Sequence, residues 1–206
     1  MRAFDFYEFA GIIAPGVVLI TSSLLAVMEP AEILDMNLGG SFIIIIIAYV
    51  LGHLLQGVGN GFEYVWWKAW RGMPTDWIKR KAGPILSNDQ RDNLFLALEK
   101  NQRLSRDYIL GMSQRDWFSL TRSMYIVVEA NGSVDRLERF NGNYGLLRGV
   151  TVSCFISGAL IFAAPEGKVV YGVALMIGGF LSSIRMHRFA KYYARELFLQ
   201  YVGCAY

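Results

Sequence analysis

The sequence predicts an all-α integral membrane protein with four transmembrane helices, arranged as two hairpins with a helical cytoplasmic insert between them. The main observation is a set of four long uncharged apolar runs, and the second is that almost every basic residue lies on one side of the membrane that these runs imply. About 20 apolar residues in a helix cross a hydrocarbon core of about 30 Å, where only a helix satisfies its own backbone. The runs are Phe9–Met28, Met36–Phe62, Gly149–Pro165 and Val169–Ile184.

The distribution of basic residues predicts the orientation. Of the 20 Lys and Arg residues, only Lys168 lies in the connections Glu29–Asn37 and Glu166–Lys168. Since basic residues near helix ends stay cytoplasmic, we expect both termini and the central region to face the cytoplasm, with Glu29–Asn37 outside. The predicted segments are 1–62 for the first hairpin, 63–148 for the insert, 149–186 for the second hairpin and 187–206 for an amphipathic cytoplasmic tail.

Two alternatives to four full spans stay open. A cleaved signal peptide would account for the first run, but its start carries Asp5 and Glu8 against Arg2, so we expect a retained helix. The last two runs are short for full spans, and a re-entrant pair is the alternative to a hairpin there. Lys168 and Arg185 can extend their charged heads outward from a short span, which favours the hairpin.

The insert contains start signals for helices. Ser87 and Gln90 form a capping box for a helix over residues 88–102, and Ser113 with Asp116 starts another. A further helix follows Ser133 and leads into the third run. The apolar positions of the second of these helices recur at helical spacing: Trp117, Leu120, Met124 and Val128.

The second run is expected to continue past the membrane and to stop at Gly72-Met73-Pro74. Indole rings accumulate at the level of lipid headgroups, and arginines next to a span extend to the same level. The predicted membrane-interface anchors are Trp66, Trp67, Trp70, Arg185 and Arg188.

Polar side chains within the apolar runs are the candidate functional residues. Tyr49, His53, Gln56 and Asn60 share one face of the second helix, because they are spaced by four, three and four residues. Polar groups at membrane depth face a bundle interior or a wet cavity. Hydrogen bonding between helices is the first interpretation of this face, and a water-accessible lumen formed by several copies is the second.

Small residues are dense in the last hairpin, where they predict close helix–helix contacts. Packing within one chain is the first explanation, and contacts between copies of the chain are the second. The candidate packing residues are Ser153, Ser157, Gly158, Gly178, Gly179 and Ser182.

Composition argues against several function classes. The formal net charge of +3 and the single basic triplet Lys79-Arg80-Lys81 are too weak for a nucleic-acid interface, and the triplet is expected to be solvated or lipid-facing. Cys154 and Cys204 are placed for neither a disulfide framework nor a zinc site. The sequence contains no phosphate loop, HExxH motif or nucleophile elbow, so we expect no enzyme, no cofactor and no metal.

The opening Phe4-Asp5-Phe6-Tyr7-Glu8-Phe9, running into Ala14-Pro15-Gly16, resembles the start of small accessory membrane proteins of bacterial antiviral defence systems. The layout of spans, helical insert and closing hairpin is similar to that of the accessory membrane proteins of type VI-B CRISPR loci. The resemblance implies antiviral defence at the inner membrane, through oligomerisation and disturbance of that membrane. It assigns no catalytic residue.

The expected function is therefore an oligomeric inner-membrane effector or accessory protein that forms or gates a pore or perturbs the membrane. The alternative is a non-conducting anchor that docks a soluble defence protein through its cytoplasmic helices. A small transporter subunit is a third possibility, which loses ground because no internal repeat relates the two hairpins. The expected partners are the lipid bilayer and further copies of the chain, and nucleic acid is not expected among them.

Overall fold

The computed structural model of the protein describes residues 6–28, 38–80, 85–132, 134–164 and 168–205. All regular structure in these ranges is helical, as the sequence predicts. The helices are α1 (Phe6–Val27), α2 (Leu38–Ala69), a 3₁₀ helix (Pro74–Lys79), α3 (Asn88–Gln102), α4 (Arg106–Gly111), α5 (Gln114–Ala130), α6 (Asp135–Ala163) and α7 (Val169–Cys204).

Three helices, α2, α6 and α7, are long and apolar enough to cross a membrane. They contain 32, 29 and 36 residues, which exceeds the length of about 20 that a span needs. The apolar stretch Gly11–Leu25 of α1 is shorter. Three candidate spans are established in this way, and the fourth stays a prediction.

The chain forms two compact units. The apolar unit combines the chain up to Trp66 with Gly142–His187, and the polar unit combines Trp67–Asn141 with Arg188–Tyr206. The last segment is the predicted amphipathic tail, and it contributes Leu197, Phe198 and Tyr201 to the buried core of the polar unit.

The boundaries of α3 and α5 follow local capping chemistry. The Ser87 hydroxyl accepts from the Gln90 N–H at 3.3 Å, and the Gln90 side chain accepts from the Ser87 N–H at 3.1 Å. The helix α3 therefore covers the predicted residues. Ser113 caps α5 through the N–H of Asp116 at 3.2 Å. The four residues predicted for the inner face of α5 are all buried: Trp117, Leu120, Met124 and Val128.

Two helices are longer than the sequence indicated. The helix expected after Ser133 and the third apolar run form the single helix α6, with Asp135 and Glu138 in its first turn, where carboxylates favour the helix dipole. The fourth run and the following tail form the single helix α7. Neither junction contains proline, so the backbone hydrogen bonds continue without a break.

The end of α2 lies where the sequence predicts it. Gly72 adopts a φ of 114°, a left-handed conformation that side-chain-bearing residues rarely take. The Asp76 carboxylate then accepts from the N–H of Met73 at 2.9 Å and stabilises the start of the 3₁₀ helix. Several residues with predicted roles lie outside the described part of the chain: Phe4 and Asp5 of the opening motif, the Glu29–Asn37 connection, Lys81 of the basic triplet, Ser133, and residues 165–167 of the last turn.

Basic side chains hold the polar unit together from within. Lys79 was expected to be solvated or lipid-facing, but its ammonium donates to the Met112 carbonyl at 3.0 Å and lies 5.6 Å from the Trp117 ring. Arg91 is buried and donates from Nε to the Ile78 carbonyl at 2.8 Å. Burial lowers the pKa of its guanidinium. The charge of Arg106 acts in the same direction.

Candidate functional site: a polar clamp in the apolar unit

The proline of α1 creates an unpaired backbone group that another helix satisfies. Pro15 has no N–H, so the Gly11 carbonyl, four residues earlier, loses its usual intrahelical donor. The Gln56 side chain of α2 donates to this carbonyl at 2.9 Å. Membrane helices tolerate proline where neighbouring groups satisfy the freed carbonyl in this way. Gln56 therefore replaces the hydrogen bond that Pro15 removes.

An arginine with little exposure continues the series of hydrogen bonds. Arg148 of α6 donates from Nη2 to the Gln56 side-chain oxygen at 2.7 Å and from Nη1 to the Glu63 carboxylate. The side chains of Arg148 and Glu63 are only 16% and 21% exposed. Their opposite charges form an ion pair, so the two side chains together add no net charge to the apolar unit. We call the Gly11 carbonyl, Gln56, Arg148 and Glu63 the polar clamp, which joins α1, α2 and α6.

Glycines leave the space that the clamp needs. A side-chain carbon on Gly149 would lie 2.6 Å from Cγ of Pro15, and one on Gly59 would lie 3.3 Å from Nε of Arg148. A side chain on Gly16 would overlap the Ala48 carbonyl. The three helices can approach closely because these positions carry no side chain. Arg148 Nε is itself buried and has no hydrogen-bond partner among the described residues.

The predicted polar face of α2 is divided between two environments. Gln56 turns towards α1 and α6 as part of the clamp. Tyr49, His53 and Asn60 are exposed on the surface of the chain. The rings of Tyr49 and His53 meet edge-on, with centroids 4.7 Å apart. We call Tyr49, His53 and Asn60 the outer polar stripe.

The predicted small residues make contacts inside the chain. Ser153 Oγ lies 2.8 Å from the Pro15 carbonyl, and the Ser22 and Ser157 hydroxyls are 2.6 Å apart. These contacts join α1 to α6. Packing within one chain, the first explanation from the sequence, accounts for both serines.

The predicted packing glycines of the last hairpin differ in how close their neighbours on the other helix lie. A side-chain carbon on Gly158 would lie 3.2 Å from the Gly172 carbonyl, and one on Gly179 would lie 2.8 Å from the Phe155 ring. At Gly178 the nearest atom, Cys154 Sγ, would be at an ordinary distance of 3.9 Å. Ser182 is half-buried. The backbones of α6 and α7 therefore approach closely at Gly158, whereas Gly179 is packed against a side chain.

The predicted membrane-interface anchors lie in different environments. Within the apolar unit, Trp66 stacks on Phe62 with centroids 5.7 Å apart. Trp67 belongs to the polar unit, where it is only 4% exposed and meets the Trp77 ring edge-on at 6.3 Å. Its indole is enclosed by protein, which does not fit a position among lipid headgroups. The anchors that are exposed are Trp70, Arg185 and Arg188.

Two clamp residues, Glu63 and Arg148, were not singled out from the sequence as partners. They are separated by 85 positions, and each lies beside the end of an uncharged run. Their opposite charges at those two ends were the available signal. Among the described residues, no group of three or more His, Cys, Asp or Glu side chains is arranged to hold a metal ion.

No family model, curated protein or solved structure matches the chain.

Proposed function

We propose that the chain is a membrane-spanning protein that assembles from several copies in the bacterial inner membrane and there forms or gates a pore or perturbs the bilayer. In this proposal α1 is a fourth span, and both termini and the polar unit are cytoplasmic. Three helices of sufficient length and apolarity support the membrane assignment. The position of 19 of the 20 basic residues outside the two short connections supports the orientation.

The outer polar stripe carries the proposal. Tyr49, His53 and Asn60 are exposed on α2, although the surrounding exposed residues are mostly apolar, including Ile46, Val50 and others. Polar side chains that face lipid are unfavourable, and they normally face protein or a water-filled cavity. Further copies of the chain would provide one or both of these environments. The Tyr49–His53 ring pair is the part that we assign to a water-accessible path.

A role in antiviral defence is supported by the sequence resemblance. The resembling segment includes Ala14-Pro15-Gly16, and the polar clamp lies around this proline. The clamp would hold α1, α2 and α6 in one arrangement inside each copy. In the proposed effector, the assembly of such copies then acts on the membrane of the infected cell.

Dye release from liposomes tests this function. Purified protein reconstituted into liposomes should release a small trapped dye, and its mass in detergent should correspond to several copies. His53→Leu should reduce the release while the mass stays the same, because it removes a polar ring from the water path. Ser123→Ala is the control, since Ser123 is exposed on α5 in the polar unit. A monomeric protein that releases no dye would exclude the proposal.

One observation favours the alternative of a non-conducting anchor. The polar unit has its own buried core, yet it exposes several large apolar side chains. Phe118 on α5 is 67% exposed, and Tyr108, Leu96 and Ile126 are exposed as well. Such side chains suit a protein partner. In that case the liposomes stay sealed, and a stoichiometric complex with one soluble protein is lost on Phe118→Ser.

A further inference from the structure

The glycines of α2 from position 52 onwards fall into two groups. Gly52 and Gly59 are used inside the chain, since a side chain on Gly52 would overlap the Ile12 carbonyl and one on Gly59 would touch Arg148. Around Gly57 and Gly61, nothing in the described part of the chain lies within 4 Å. Glycine is unfavourable in a helix interior compared with alanine. The open space at these two positions gives no compensating contact within one copy.

Gly57 and Gly61 lie on the same side of α2 as a polar group. They are four residues apart, and Asn60 and His53 project from the adjoining surface of the helix. All four residues are exposed. The Asn60 side chain carries both donors and an acceptor, so two such amides can bond to each other. A surface with small residues and self-complementary polar groups is suited to another helix, and lipid would leave the amide without a partner.

We infer that this face of α2, with Gly57, Asn60 and Gly61, contacts the same face of α2 in a second copy, in parallel orientation. Identical copies inserted in one membrane share their direction, so a twofold axis between them runs along the membrane normal. Each residue then meets its own counterpart. The glycines allow the two backbones to approach, and the Asn60 amides bond across the contact. This inference rests on the proposed assembly and names its pairing surface.

Disulfide trapping tests the contact directly. The native thiols are first removed by Cys154→Ala and Cys204→Ser. Gly57→Cys and Gly61→Cys should then each give a covalent dimer on oxidation in native membranes, because a disulfide needs Cβ atoms about 3.5–4.5 Å apart. Ile45→Cys is the control on the same helix: Ile45 is 47% exposed, but it points about 120° away from Gly57 and about 160° away from Gly61 around the helix. Stronger linkage at 45 than at 57 and 61, or none at 57 and 61, would overturn the inference.

A bulky side chain gives a second, independent test. Gly57→Leu has no neighbour to displace within one copy, so the helical circular dichroism should be unchanged. Self-association should weaken at least about tenfold, and Asn60→Leu should weaken it about threefold to tenfold, as loss of one interhelical hydrogen bond does. Ile45→Leu, on a different side of α2, should associate like the unmodified protein. Equal self-association of all three variants would refute the proposed α2 contact.

The two proposals can fail separately. If Gly57→Cys forms the covalent dimer but the unmodified protein releases no dye, the α2 contact stands and the proposed function fails. If Gly57→Leu keeps its full mass and releases dye normally, the proposed function stands and the α2 contact is refuted.

Discussion

The polar clamp makes a quantitative prediction about two residues on different helices. If Gln56 replaces the hydrogen bond that Pro15 removes, then the effect of Gln56→Leu must depend on the residue at position 15. With proline present, Gln56→Leu leaves the Gly11 carbonyl without a donor. With Pro15→Ala in place, the N–H of the new alanine donates to that carbonyl, and Gln56 becomes dispensable for it.

The magnitude follows from the environment of the carbonyl. An unsatisfied buried carbonyl costs about 1–3 kcal/mol in soluble proteins. Measured couplings between membrane helices are smaller, about 0.6 kcal/mol on average and at most about 1.7 kcal/mol. We therefore expect Gln56→Leu to destabilise the Pro15 protein by about 1 kcal/mol more than it destabilises the Pro15→Ala protein. Gln56→Leu also removes the Arg148–Gln56 hydrogen bond. This loss occurs with either residue at position 15, so it cancels from the difference between the two destabilisations.

Equilibrium unfolding of the four proteins in mixed micelles measures this coupling energy. His53→Leu combined with Pro15→Ala is the control, because His53 lies on α2, like Gln56, but is exposed. That pair should be additive within about 0.3–0.5 kcal/mol. If Pro15→Ala and Gln56→Leu are also additive within this range, the replacement of the missing hydrogen bond by Gln56 is refuted.

Three further outcomes are expected. Glu63→Gln should destabilise the protein by about 3 kcal/mol, which is the lower end for a broken buried ion pair because both partners keep some exposure. The double variant Glu63→Leu with Arg148→Met should recover most of this loss. Thermal unfolding in detergent measures both effects. Gly179→Ala should lower the melting temperature, because its new carbon would lie 2.8 Å from a phenyl ring on α6, while Gly178→Ala should leave it unchanged or raise it. A cysteine at Ser87 should stay unmodified by a membrane-impermeant thiol reagent in intact cells, and its modification would reverse the proposed orientation.

Much of the fold was predictable because its signals are local. The capping box of Ser87 and Gln90 acts within one helical turn, and it marks the start of α3 correctly. The spacing of Trp117, Leu120, Met124 and Val128 identifies the buried face of α5 in the same way. The signal that ends α2 just before Gly72-Met73-Pro74 is also local, since it follows from backbone preferences of glycine and proline.

The candidate site was predictable only in part. The sequence identifies Gln56 as a polar residue at membrane depth and Pro15 as a residue that frees a carbonyl, because both are properties of single residues. It does not connect them, since the bond between Gln56 and Gly11 joins positions 45 residues apart. It also places Tyr49, His53, Gln56 and Asn60 on one face without showing that Gln56 alone turns inward.

The sequence by itself determined the helical class, the long apolar runs, the starts of α3 and α5 and the end of α2, since these depend on hydrophobicity and on contacts within a few residues. The tertiary structure decided which polar groups meet. It paired Arg148 with Glu63 and Gln56, enclosed Trp67 beside Trp77, and placed Phe198 and Tyr201 of α7 in the core of the polar unit. Such pairings depend on how whole helices pack, and side-chain volumes across distant segments set that packing.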